Sequence, residues 1–198
     1  MNKCKICGTE YAHAFEVVVR DQRSIYDCFE CAVYDMAMNS SMFAIRSPAF
    51  EDNTAIPRQY TSEGENISPP LEWADPPLAT ESFALIMEDP DAPDPQNPQQ
   101  SWVHWVLYDL PANTKFLPAD ADKNHLPAGA RRGLNDWNHT EYGGPDPPVG
   151  EHRYLCRLYA LDTILRKLPR PTRKNLLDAM EGHVLDRAEV VGTYKKSW

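Results

Sequence analysis

All 18 prolines of this 198-residue chain lie between Pro48 and Pro171, whereas four of its five cysteines lie between Cys4 and Cys31. Proline locks φ near −65° and has no N–H to give, so it is kept out of helix interiors and central strands. A stretch with roughly one proline in seven residues can be built only of short elements joined by rigid turns. The first 47 residues have none, which puts a change of character near residues 40 to 47. Two domains follow: a cysteine-bearing module over 1–41 and a larger body over 42–198.

A hydrophobic content of 42% with 25% charged residues describes a chain that folds. Its net charge of −9 argues against nucleic acid and anionic membranes as partners, since both need a basic face. Residues 1–43 hold four Lys or Arg against six Asp or Glu, so −7 remains on the rest. The apolar run Phe83–Met87 is too short to span a bilayer. Cysteines, Gly8 and Glu10 interrupt the N-terminus where a signal peptide needs its apolar stretch. A reducing cytoplasm is the expected location, where thiols persist as thiols or metal ligands.

Cys4-Lys-Ile-Cys7-Gly8 and Cys28-Phe-Glu-Cys31 are two C-x-x-C pairs 20 residues apart, within the spacing at which four thiolates close a tetrahedral site. Phe15–Val19 and Ser24–Tyr26 read as two strands between them, and Asp27 with Glu30 reads as a capping box before a helix continuing through Phe29, Val33 and Met36. Cys28 and Cys31 then share the first helical turn. The pattern resembles short bacterial zinc-ribbon sequences, matched by Cys7-Gly8, Tyr11, Phe15-Glu-Val17 and Phe29-Glu-Cys31-Ala32. Structural zinc on Cys4, Cys7, Cys28 and Cys31 is the leading expectation, because about 40 residues build too small a core alone. A rubredoxin-like iron site and a redox disulfide relay are the alternatives. Four sulfurs leave no open position for a catalytic water, so the module is read as scaffold or docking surface. His13 is read as a surface residue and Cys156 as a core thiol.

Beyond Ser47, Ser82–Met87, Trp102–Tyr108, Tyr154–Leu161 and Glu189–Tyr194 read as strands, and Thr172 caps a helix running to about Asp186. The fold expected is mostly β, a two-sheet sandwich with a peripheral helix. Three clusters carry chemistry. Glu88-Asp-Pro-Asp-Ala-Pro93 holds three acids beside φ-locked prolines. In Trp102-Val-His-Trp-Val106, strand alternation puts His104 on a face with Trp102 and Val106, and Trp105 opposite. Gly143-Gly-Pro-Asp-Pro-Pro148 followed by Gly150-Glu-His-Arg-Tyr154 offers backbone N–H groups, a histidine and an arginine entering a strand.

In this order the clusters resemble the phosphatidylethanolamine-binding protein family, in its bacterial and archaeal Raf-kinase-inhibitor-like branch. Ser47-Pro-Ala-Phe50, Gly64-Glu-Asn-Ile-Ser-Pro-Pro-Leu-Glu-Trp73 and Val191-Gly-Thr-Tyr194 extend the match from about Met42 to Lys195. The resemblance implies an antiparallel Greek-key sandwich and a small pocket for an anionic, phosphate-like group. It places Asp89, His104, Gly144, His152 and Tyr154 in that pocket, with Trp102 at its mouth, and Asp91 is counted with the ligand-binding residues, its direct contact with the ligand being the alternative to a structural role. Asp91 and Arg153 are expected to pair and staple two loops. Asp89 is expected to accept from a pocket histidine and raise its pKa, so that an imidazolium faces the anion. Eukaryotic members carry a C-terminal helix beside the pocket; none is expected after Tyr194, so a more open pocket is expected.

The function expected is a non-enzymatic binding or regulatory protein for a phospholipid headgroup, phosphorylated metabolite or phosphorylated side chain. Partner docking on the zinc module and a homodimer are further expectations. One alternative is a hydrolase using the Asp and His groups for acid–base catalysis, although no G-x-S-x-G motif is present. A scaffold with a vestigial pocket is the other.

Overall fold

The unbroken apolar run Phe83–Met87 becomes a strand covered on both faces, and the larger part of the molecule is arranged around it. The structure, a computed structural model, describes residues 2–4, 6–8, 10–11, 15–19, 22–26, 28–32, 42–166 and 168–196. The chain divides into two compact units, Met1–Met42 and Phe43–Trp198.

In the smaller unit, β1 (Asn2–Lys3) pairs antiparallel with β2 (Glu10–Tyr11), and β3 (Phe15–Val19) with β4 (Gln22–Tyr26). Residues 29–32 are helical. Cys4, Tyr26 and Ala32 form a small buried cluster with Cys31 against it. Gly8 takes φ +70° and donates its N–H to the Cys4 carbonyl at 3.0 Å, closing the first knuckle in a conformation glycine adopts without strain. His13, Asp27, Val33 and Met36, named in the sequence reading, lie outside the described residues.

The larger unit is mostly β with few helices. Its main sheet runs β11-β9-β8-β12-β13-β6, made of β6 (Thr54–Ala55), β8 (Ser82–Asp89), β9 (Trp102–Pro111), β11 (Arg131–Arg132), β12 (Glu151–Leu161) and β13 (Val184–Lys195). A second sheet, β10-β7-β5, joins β5 (Ala44–Arg46), β7 (Leu71–Ala74) and β10 (Phe116–Leu117). All main-sheet pairs are antiparallel except β13 with β6. Alternation along β8 sends Phe83, Leu85 and Met87 into a large core shared with Ile45, Leu71, Trp73 and Leu117 of the smaller sheet. Ala84 and Ile86 face a second cluster with Leu176 and Met180 of the helix Arg173–Met180.

That helix starts as expected. Thr172 Oγ accepts from Asn175 N, and the Asn175 side chain accepts from Thr172 N in return, a full capping box. Its end corrects the sequence reading, which carried it to Asp186. The chain turns at Gly182, with φ +80°, and Val184–Asp186 are the first residues of β13, paired with Leu161 and Ala160. Ladder hydrogen bonds to β12 outweigh the helical spacing of Val184 and Leu185. No helix among the described residues is long and apolar enough to cross a membrane.

Candidate functional site

Pairing alone gathers most of the chemistry at one end of the main sheet. Asp89 ends β8 opposite Trp102, the first residue of β9, while β12 enters the same end from His152 and Tyr154. Asp89 continues the Phe83, Leu85, Met87 face, and His152 and Tyr154 continue the face of Cys156 and Leu158.

His104 reaches this face by an irregularity. Met87 stands opposite Trp105 and Glu88 opposite Val103, with a register shift between them, so His104 is the extra residue of a β-bulge. The strict alternation of the sequence reading is therefore corrected. Trp102 and His104 do share a side, but Trp105 joins them in facing the main core, whereas Val103 and Val106 belong to the second cluster. The His104 ring meets Trp137 edge-on at 5.0 Å and Tyr154 at 5.2 Å between centroids, and Trp102 meets Trp137 at 5.4 Å.

The hydrogen bonds distribute the two histidines unequally. His152 Nδ1 lies 2.8 Å from Asp89 Oδ2, and its Nε2 lies 2.9 Å from the Val149 carbonyl. A carbonyl only accepts, so Nε2 carries a proton, and both ring nitrogens are taken. Asp89 Oδ1 accepts from Asp91 N at 2.8 Å, which ties the start of the proline loop to the same pair. His104 Nδ1 donates to Gly143 O at 2.7 Å. Burial pushes the His104 pKa below its ordinary value, against opposing pulls from the Gly143 carbonyl and Asp89. The expected imidazolium facing an anion is thus not what His104 supplies. Desolvation wins over the carboxylate at His104, and the pocket histidine that bonds Asp89, as expected of one of the two, is His152.

Asp91 and Arg153 form the expected staple. Arg153 Nε and Nη2 donate to the two Asp91 oxygens at 2.9 and 2.7 Å, and Arg153 N donates to Oδ2 at 2.9 Å. The Arg153 side chain, by hydrogen bonding, holds the Asp91 carboxyl below its usual range despite burial. Both Asp91 oxygens are occupied by this contact.

Gly144 shows why this loop is rich in glycine. A Cβ there would lie 2.6 Å from Asn66 Oδ1 and 2.7 Å from Tyr60 O, so only glycine fits this approach. Its N–H donates to Asn66 Oδ1 at 2.7 Å, which removes it from the free donors that the sequence reading counted on. An open cleft of about 330 Å³ adjoins the loop, lined among others by Gly143, Gly144, Asp146, Trp137, Ser62 and Asn66. Asp89, His104, His152 and Tyr154 are buried beneath this end of the sheet. The Tyr154 hydroxyl proton and the Trp102 indole N–H are buried without an acceptor, although the Asp146 backbone N–H lies towards the Tyr154 oxygen. Burial, with help from the Asp89 charge, pushes the Tyr154 pKa well up, so the hydroxyl keeps its proton.

Several residues here escaped the sequence reading. Trp137, 40% exposed, covers Gly143 and His104. Buried Asp122 accepts from Trp105 Nε1 at 3.1 Å, Arg132 Nε at 3.0 Å and Tyr142 N at 3.0 Å, anchoring the glycine loop from behind. The Asn135-Asp-Trp137 run was the one visible signal, a polar loop interrupted by tryptophan.

A family model for phosphatidylethanolamine-binding protein matches residues 46–195. The chain belongs to the phosphatidylethanolamine-binding protein family. It is 44% identical to a UPF0098 protein of Methanothermobacter thermautotrophicus, across 77% of this chain and 98% of the relative. It is 42% identical to a UPF0098 protein of Chlamydia pneumoniae, across 76% and 97%. Among solved structures, a phosphatidylethanolamine-binding protein homologue from Chlamydia trachomatis superposes with TM-score 0.71 at 37% identity, covering 78% of this chain and 98% of that one. The Escherichia coli protein YbcL gives TM-score 0.70 at 29% identity, covering 79% and 100%.

Residues 1–45 fall outside the phosphatidylethanolamine-binding protein match. There the sulfurs of Cys4, Cys7 and Cys31 lie within 4.8 Å of one another, a group able to hold a metal ion. Cys28, expected as the fourth ligand, is not in that group. It precedes the helical residues, and its Sγ accepts from Cys31 N at 3.3 Å in the manner of an N-cap. Cys156 is buried in the main core, where burial pushes its thiol up to about 12.

Proposed function

We propose that the body is a binding protein for small phosphate-bearing ligands, held between the glycine loop and the His104 and Tyr154 end of the sheet. The observation that carries this reading is the Tyr154 hydroxyl. It is wholly buried, protonated and without an acceptor, beside the cleft-lining loop of Gly144 and Asp146. An unsatisfied buried donor costs about 1–3 kcal/mol, which an anionic oxygen would recover. The Trp102 indole N–H is a second donor in the same state. In this reading the two sheets act as layers of a Greek-key sandwich whose end forms the pocket, and Asp89, His152, Asp91 and Arg153 set its walls. The Cys4, Cys7 and Cys31 thiols hold zinc, and the module is a scaffold or docking surface in a cytoplasmic protein.

The test is calorimetric titration with phosphoethanolamine, phosphoserine and inorganic phosphate, on the wild type and on Tyr154→Phe. Loss of an uncompensated hydroxyl leaves stability unchanged or raised, while affinity falls about tenfold if that hydroxyl bonds the anion. Equal affinity in the two proteins would remove Tyr154 from the site. No wild-type binding of any probe would favour the scaffold, and phosphomonoester turnover would favour the hydrolase.

A further inference from the structure

An anion site in a chain of net charge −9 is strengthened by a local positive charge, and none of the expected sources is free to give one to a ligand. Both His152 nitrogens are committed, His104 is pushed towards its neutral form, and Arg153 is engaged with Asp91. Among the described residues, the ion pair of Lys196 is the one through which a lysine or arginine meets a residue lining the cleft. Lys196 Nζ lies 2.5 Å from Asp146 Oδ1, and the Ser62 hydroxyl donates to the same oxygen at 2.6 Å.

We infer that Lys196 is the cationic ligand-binding residue of the cleft, taking the phosphate group of its occupant; this rests on the anion-binding reading above. Three features support it. The Lys196 side chain is 24% exposed and is held at its tip by Asp146, a residue of the cleft wall. Asp146 lies close enough to Tyr154 to act on its hydroxyl, and Tyr194, two residues before Lys196, pairs with His152, which puts the ammonium at the same end as the buried donors. Burial pushes the Asp146 carboxyl up, but hydrogen bonds from Lys196 and Ser62 outweigh that and keep it ionised, so the lysine is positioned before any ligand arrives. A flexible ammonium donor can pivot from Asp146 to a phosphate oxygen without disturbing the sheet. β13 carries the residue there: Tyr194 pairs with His152, and Lys196 follows one residue beyond the strand.

The experiment uses the full chain and its Lys196→Met and Lys196→Arg variants, titrated with inorganic phosphate, phosphoethanolamine and sulfate at two salt concentrations. Lys196→Met should weaken each phosphate probe about tenfold and flatten the salt dependence, while Lys196→Arg stays close to wild type. Preference for phosphoethanolamine over inorganic phosphate would point to a headgroup source, and the reverse to a free ion. Wild-type binding that Lys196→Met leaves unchanged overturns the role of Lys196 alone. Absence of wild-type binding to every probe overturns the anion-binding reading with it. Thermal midpoints of the variants check that the fold is intact.

Discussion

His104 is aimed by a bulge and kept neutral by burial, and this sets a pH signature. In the unfolded chain it titrates near 6.5; in the folded chain burial lowers that value. Below pH 6.5 the unfolded state takes up a proton that the folded state resists, so the contribution of His104 is intact above that pH and is lost as pH falls through the lowered value. His104→Gln has no such proton to take up. The stability gap between wild type and variant, from urea unfolding, should be largest at pH 7.5 and shrink towards pH 5. A gap constant across that range would contradict the neutral buried assignment. Gly144 and Tyr154 were legible as motif residues, because a glycine-proline loop and a strand tyrosine announce themselves locally. Asn66 and Lys196 were not, because each gains its role only from a partner many residues away, Gly144 in one case and Asp146 in the other.

At the level of elements, β8 shows how one strand serves both faces. Its odd-numbered residues build the main core and end at Asp89, while its even-numbered residues end at Glu88, only 2% exposed. Glu88 pairs with Arg157 Nη1 and, at 2.6 Å, with Arg173 Nε, and Ser101 Oγ donates to it at 2.7 Å. This contact fixes the start of the helix Arg173–Met180 against the sheet. Glu88→Gln leaves Arg173 without a countercharge near a buried strand end and Arg157 with Glu189 alone. We expect a loss of about 2 kcal/mol, below the usual cost of breaking a fully buried pair because both arginines are partly exposed, read as a lowered urea midpoint with unchanged slope. The strands were legible from their alternation and turn residues. The bulge at His104 and the end of the helix at Met180 were not, since both depend on which residue of a neighbouring strand stands opposite.

For the whole molecule, the division into two units gives separate reporters. All five tryptophans lie after residue 42, so indole fluorescence reports on the body alone. With a metal on the smaller unit as proposed, chelation in the full chain should expose the Cys4, Cys7 and Cys31 thiols to a chromogenic thiol reagent while tryptophan emission stays unchanged. Cys156 should react only when the body unfolds, because its thiol is buried in the core with a raised pKa. Iron in elemental analysis would replace zinc as the expected metal, and emission that changes with chelation would mean that the larger unit depends on the smaller one.

The sequence by itself determined the change of character near residues 40 to 47, the mostly β body and its family, and the glycine, histidine and tyrosine motifs. These are properties of local spacing, proline content and ordered motifs, which a linear chain displays in full. The tertiary structure alone decided which groups are already engaged: the His152 ring with Asp89 and Val149, the Gly144 N–H with Asn66, and the Cys28 sulfur as acceptor of the Cys31 N–H. Hydrogen-bond capacity is consumed in space, by residues that sequence order does not bring together, so only the folded molecule shows what remains to hold a ligand.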